Sequence, residues 1–356
     1  MMPLFSIVAF LLMAPAVLSQ TEHRVILIIL GGGVRGIDLA DSERLPNLHR
    51  LFSEGVSHQQ CRVENLTKRA ATRAILSGGI SDPVPAPDQI WKHPTLFEVL
   101  RKDRSLTQEQ VWLIFSGPSP AHLWSASDHP EYGRAYAPSV LALDQVLSAL
   151  PQRKSSAARG TSAPRTAGVS PLAELLDKNA KPALGQRALA VLTQFILEES
   201  TRENGGPGES DARALRCATY LTLHLDPVFQ AVILSESSAS ERRHGDGLQV
   251  LDRIDREMGA LLTALTSTPE RAARHSVVLA VDHGRNGKVN GEGALGFDDG
   301  SPSVLRVPVV FWGAAFKNRE VSKSPLRQVD IAPTLGRVFD VRLRHSDGKP
   351  FRPALP

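Results

Sequence analysis

The sequence predicts an α/β fold: a three-layer α/β/α sandwich around a mostly parallel central sheet. Three observations carry that prediction. Val25–Leu30, "VILIIL", is an unbroken apolar run of the kind a strand shows when both of its faces are covered. Comparable runs recur at "QVWLIFSG", "QAVILS", "SVVLAVDHG" and "VLRVPVVFWG". Between them lie stretches of helical period, clearest over 246–266, where Leu248, Leu251, Ile254, Met258, Leu261, Leu262 and Leu265 share one face.

Taken in order, the chain opens with "PLFSIVAFLLMAPAVLSQ", an apolar segment short for a bilayer span and followed at once by polar "QTEHR". Small residues up to Ser19 suit signal-peptidase cleavage, so residues 1–19 read as a secretory signal, with an uncleaved anchor as the alternative. Residues 20–356 are expected to form a single domain, secreted or periplasmic, with no membrane span in the mature chain. After the first strand, "LPNLHRLFSEG" reads as a helix, since Pro46 suits its first turn and Gly55 stops it. "GVSHQQCRV" reads as a strand and "HPTLFEVLRK" as a helix. Residues 151–170 are poor in apolar side chains and rich in Ser, Ala, Arg and Pro, which predicts a flexible surface excursion. A helical region follows around 183–200, then a glycine-rich break at "ENGGPGES".

Composition narrows the partners. The 356 residues carry a net charge of +4, but Lys and Arg are scattered among nearly as many acids, with no basic block. That distribution argues against nucleic acid as a partner. The two cysteines, Cys61 and Cys217, lack metal-type spacing; they either pair in an oxidising compartment or stay as buried thiols.

The run "ILGGGVRG" ends the first strand, and Gly31, Gly33 and Gly36 satisfy G-x-G-x-x-G. A dinucleotide site needs a helix starting within that motif and an acid ending the next strand. Here a helix is expected only from Pro46, and no acid is well placed. Nucleotide binding by Gly31–Gly36 stays open as a minor reading.

The ordered series of motifs resembles the alkaline phosphatase superfamily, which contains sulfatases and phosphodiesterases. It comprises the turn Gly32-Gly33-Val34-Arg35, then "LPNLHRLFSEGV", "TRAILSGG", "PTLFEVLRK", "VVLAVDHGR" and "RQVDIAPTLGRVFDV". The resemblance covers nearly all of the mature chain. It implies hydrolysis of a small anionic phosphate or sulfate ester by an activated hydroxyl beside one or two divalent metals, here Zn, Mn or Ca. Carried over residue by residue, the ligand set is incomplete. Asp282 and His283 stand where an Asp–His pair binds metal, and Asp298 or Asp299 falls where a final ligand is expected. Gly32, Ser237 and Ser240 occupy positions of lost ligands, although a register shift would bring in His244. The nucleophile position falls on Lys68 without gaps and on Thr67 with one residue of slack; Thr67 also completes an Asn65 sequon. Gly32, Gly33, Arg35 and Lys68 are candidates to bind the ester, against a solvated turn at Lys68–Arg69. For Asp282 and His283 the plain alternative is a strand-end turn in which the carboxylate accepts backbone N–H groups. Asp330 is expected to cap the "IAPTLGRVF" helix. Two functions follow: a protein of ester-hydrolase ancestry whose metal site has decayed and holds no metal, or an active hydrolase using Thr67.

Overall fold

Strand β1 (Arg24–Leu30) lies deep inside an eight-stranded sheet, hydrogen-bonded on both sides and buried on both faces. The computed structural model of the chain describes residues 22–31, 33–81, 84–86, 89–117, 122–148, 184–202, 205–236, 244–286, 296 and 300–356. The other strands among these are β2 (Val56–Arg62), β3 (Val111–Phe115), β4 (Ser139–Ala142), β5 (Phe229–Leu234), β6 (His275–Val281), β7 (Arg306–Gly313) and β8 (Glu320–Val321). Their order is β4-β3-β5-β1-β6-β7-β2-β8. Only β7 runs against its two neighbours, β6 and β2; the remaining pairs are parallel. Carboxyl ends of β3, β5, β1 and β6 therefore open on one edge of the sheet, where ligands bind in open α/β folds.

The helices of six residues or more among the described residues are α1 (Pro46–Glu54), α2 (Lys68–Ser77), α3 (Leu96–Asp103), α4 (Leu143–Ser148), α5 (Gln186–Glu199), α6 (Glu209–His224), α7 (His244–Leu265) and α8 (Ile331–Val338). Four-residue helices occur as well, and one of them, Gly36–Leu39, starts at the last glycine of the G-x-G-x-x-G run, ahead of the Pro46 start that the sequence predicts. One layer joins α1, α5, α6 and α7; another joins α2, α3 and α8. Between these layers the core strands lose every solvent-facing side, which explains their unbroken apolar sequences. Charged side chains tie the first layer together. Arg216 donates to Glu199 at 2.9 and 2.7 Å, to Glu209 at 2.6 Å and to Glu257 at 3.0 Å, linking α5, α6 and α7.

The expected strands and helices are present, and the sequence pattern leaves β4, β8, α2, α4 and α6 unannounced. Cys61 and Cys217 are free, buried thiols. Asp330 corrects its expected role. Its carboxylate accepts from the Arg327 and Lys349 amides, both at 2.8 Å, so it fastens the turn before α8 and the C-terminal segment instead of capping α8. Lys68 and Arg69 likewise lie in the first turn of α2, half-buried, and not in a solvated turn. No helix among the described residues is long and apolar enough to cross a membrane. The segments 1–19 and 151–170 lie outside the described residues.

Candidate functional site

The carboxyl ends of β1, β5 and β6 are laced together by backbone. Gly31 N–H donates to Leu234 O at 2.7 Å, Asp282 N–H to Leu30 O at 3.1 Å, and Val34 N–H to His283 O at 3.1 Å. This lacing brings the glycine turn after β1 against the Asp282-His283 turn after β6. Gly33 sits at φ +81°, and a β-carbon there would stand 2.8 Å from both Cε1 and Nδ1 of the His283 ring. Glycine is required at 33 on both counts.

Asp282 is fully buried. Its Oδ1 accepts the amides of Gly33 at 3.1 Å and of His283 at 2.7 Å. The alternative reading of this residue, a carboxylate holding a strand-end turn, describes what those bonds do. His283 is buried as well: Nδ1 lies 2.9 Å from Gly284 O, and Nε2 lies 3.9 Å from Asp282 Oδ2. A proton on Nδ1 lets the ring donate to that carbonyl.

Two residues that fasten these turns were not singled out by the sequence. Arg285, the last letter of "VVLAVDHGR", is buried and donates from Nε to Gly33 O at 2.9 Å. Gln328, from the "RQVDIAPT" stretch, donates from Nε2 to Val281 O at 2.8 Å and Asp282 O at 2.6 Å. Both act by clamping carbonyls of the site's own turns.

Helix α2 delivers the other candidates. The Thr67 hydroxyl accepts from Ala70 N at 3.3 Å and donates to Asn65 Oδ1 at 2.9 Å, so it caps the helix. Lys68 reaches back over the end of β1: its Cε and Nζ would lie 2.9 and 3.3 Å from a β-carbon at Gly31. The Arg35 guanidinium forks onto Asp38 at 2.8 and 2.6 Å, where its charge is matched. The structure therefore brings Gly33, Asp282, His283 and Lys68 to one edge. Gly32, Ser237, Ser240, Asp298 and Asp299 lie outside the described residues.

Beside this mouth, the chain leaving β5 is fastened by α6. Asp211, fully buried, accepts the Ser116 hydroxyl, the Ser235 amide at 2.8 Å and the Glu236 amide at 3.0 Å. Burial pushes its carboxyl up to about 6 against the pull of those hydrogen bonds.

Of the residues that the resemblance implies as metal ligands, Asp282 and His283 are the two that lie among the described residues, whereas catalytic zinc takes three protein ligands. Among the described residues no three His, Cys, Asp or Glu side chains are grouped to hold an ion. Glycine at 32 and serine at 237 and 240 offer neither carboxylate nor imidazole.

No family model matches the chain, and no curated protein does. Solved structures match it over nearly its whole length. It is similar to the wild-type alkaline phosphatase PafA at 11% identity, covering 94% of this chain and 99% of that one, with a TM-score of 0.57. A protein in the alkaline phosphatase superfamily from Vibrio parahaemolyticus shares 12% identity over 94% of this chain and 71% of its own, TM-score 0.55. A 2-O GAG sulfatase shares 12% identity over 93% and 74%, TM-score 0.52. The chain thus has the α/β fold of the alkaline phosphatase superfamily, and its sheet order departs from that of the dinucleotide-binding fold.

Proposed function

We propose that this chain is an exported, single-domain protein of ester-hydrolase ancestry that binds a small phosphate or sulfate ester at the carboxyl edge of its sheet and has lost metal-dependent catalysis. One observation carries the reading: among the described residues no three His, Cys, Asp or Glu side chains are grouped to hold an ion, and Asp282 Oδ1 serves the backbone of its own site. The Gly33 turn and Lys68 form the ester-binding mouth. Export is supported by the apolar N-terminal segment with its small residues at 17–19.

The experiment is a metal analysis joined to a turnover panel. Purified full-length protein is assayed for zinc, manganese and calcium, then offered an aryl phosphate, a phosphodiester and an aryl sulfate with each metal added. We expect well under one equivalent of metal and no turnover above the uncatalysed rate. A full equivalent of metal, together with turnover lost in both Thr67→Ala and Asp282→Asn, would establish the active hydrolase with Thr67 as nucleophile.

A further inference from the structure

The chain that follows α8 returns to the far end of α2. There Gly78 O accepts the Ser346 hydroxyl at 3.0 Å and the Asp347 amide at 2.8 Å, and the Asp347 carboxylate accepts the Ile80 amide at 2.7 Å. Gly78 sits at φ +70°, and a β-carbon on it would overlap the Ser346 side chain, so the fit is close. This C-terminal segment thus clasps the end of the helix whose first turn carries Thr67 and Lys68.

Histidines close the clasp. The His345 ring lies 4.3 Å, centre to centre, from the His129 ring at a tilt of 54°. Tyr132 packs against both, at 6.0 and 5.4 Å. His93 donates from Nδ1 to His345 O at 3.0 Å. The His129 ring is itself tied down, because its Nδ1 accepts the Glu131 amide at 3.2 Å. That bond uses the lone pair of the ring, so it exists only while Nδ1 carries no proton. Two imidazoles stack at this distance, whereas two imidazoliums repel. The charged and titratable groups that act on His345 are His129, Glu131, His93 and Arg344. Of these Glu131 is the acid, and its carboxylate is 3.8 Å from Lys102 Nζ, which sits 4.5 Å over the Tyr132 ring. Asp347, on the segment itself, is turned to the Ile80 amide.

We propose that the His129–His345 contact is an acid-sensitive latch: protonation of both rings opens it, breaks the Glu131 amide bond and frees segment 343–349 from the end of α2, while the sheet stays closed. The sign follows from the surroundings. Burial, then the neighbouring His129, His93 and Arg344, hold the His345 imidazole below its usual 6.5, against the pull of Glu131. A folded state that prefers the neutral ring keeps the full contact above pH 6.5 and loses it as the pH falls further.

The test is hydrogen–deuterium exchange of the full chain at pH 7.5 and 5.0, with labelling times scaled to the intrinsic exchange rates. The Asp347 and Ile80 amides report on the latch, and β1 reports on the sheet. We expect protection at Asp347 and Ile80 to fall about tenfold at pH 5.0 while β1 is unchanged. His129→Phe and His345→Phe keep a ring without its charge, and in each the two pH values should agree within about twofold. His129→Lys should loosen the segment already at pH 7.5. With two positions tested, misfolding of one variant, seen by circular dichroism, leaves the other to decide. Equal protection at both pH values in wild type overturns the latch. So does a tenfold fall that persists in the phenylalanine variants, and so does an equal loss at β1, which would be global acid unfolding.

Discussion

The Gly33 amide and the Asp282 carboxylate are joined by a 3.1 Å hydrogen bond across 249 residues of sequence. This bond closes the turn after β1 onto the turn after β6, and each partner makes a different demand on the chain. On the glycine side the demand is steric. Gly33→Ala must accept φ +81° and a β-carbon 2.8 Å from the His283 ring. We expect a loss of about 2–4 kcal/mol in urea denaturation. A variant as stable as wild type would show that the two turns part without cost.

On the carboxylate side the demand is for an acceptor. Asp282→Ala leaves the Gly33 and His283 amides buried without their partner and should cost about 2–4 kcal/mol. Asp282→Asn keeps an oxygen in place and should cost less than half as much. Carboxylates held for a cation behave differently when the cation is absent, since their removal relieves strain. A stabilised Asp282→Ala protein would therefore speak for an ion site.

Asp211 makes stability depend on pH. Its folded value, about 6, exceeds the ordinary 3.8, with burial as the main cause and the neighbouring Glu236 charge adding to it. The folded state thus holds a proton that the unfolded state releases. The resulting stabilisation is present below pH 4 and is lost as pH rises through 6. The difference in unfolding free energy between wild type and Asp211→Asn should shrink by about 3 kcal/mol between pH 4 and pH 7. Parallel curves would place the Asp211 proton equilibrium at its ordinary value.

Cys61 and Cys217 are free and buried, and burial pushes both thiols well above their usual range. Native protein should react slowly with a thiol-specific dye at pH 8, and denatured protein should release two equivalents without reductant. Two equivalents appearing only after reduction would mean a disulfide.

What the sequence made legible follows burial. Strands covered on both faces, such as Val25–Leu30 and Val277–Val281, show as unbroken apolar runs because no position along them is wet. Strand β4 escaped notice because it is four residues long and contains serine and alanine. Helix α6 escaped because its buried residues are mostly small or polar, Asp211, Ala212, Ala214, Cys217, Ala218 and Thr222 beside Leu215 and Leu221, and because Arg213 and Arg216 among them are engaged by acids from other helices. The retained Asp282 and His283 were readable from "DHG", but their bonding was not. Gly33 meets Asp282 across 249 residues of sequence, Gln328 across 46, and Arg285 reaches back to Gly33 across 252, and no local pattern records such meetings. Lys68 shows the same limit: the sequence leaves it between an anion-binding residue and a solvated turn, and only the folded chain brings its stem over Gly31 at the end of β1.

The place of β1 in the sheet also sets a timetable. The first strand to be synthesised pairs with β5 and β6 alone, through Val25–Phe229 and Arg24–His275. At about 5–20 residues per second, the ribosome needs on the order of ten to fifty seconds between making Val25 and delivering its partners. For that interval "VILIIL" is a naked aggregation-prone segment, and the centre of the sheet cannot close until the last third of the chain emerges. A holdase that shields this one hexapeptide would govern the yield of folded protein more than any stabilising change in the finished sheet.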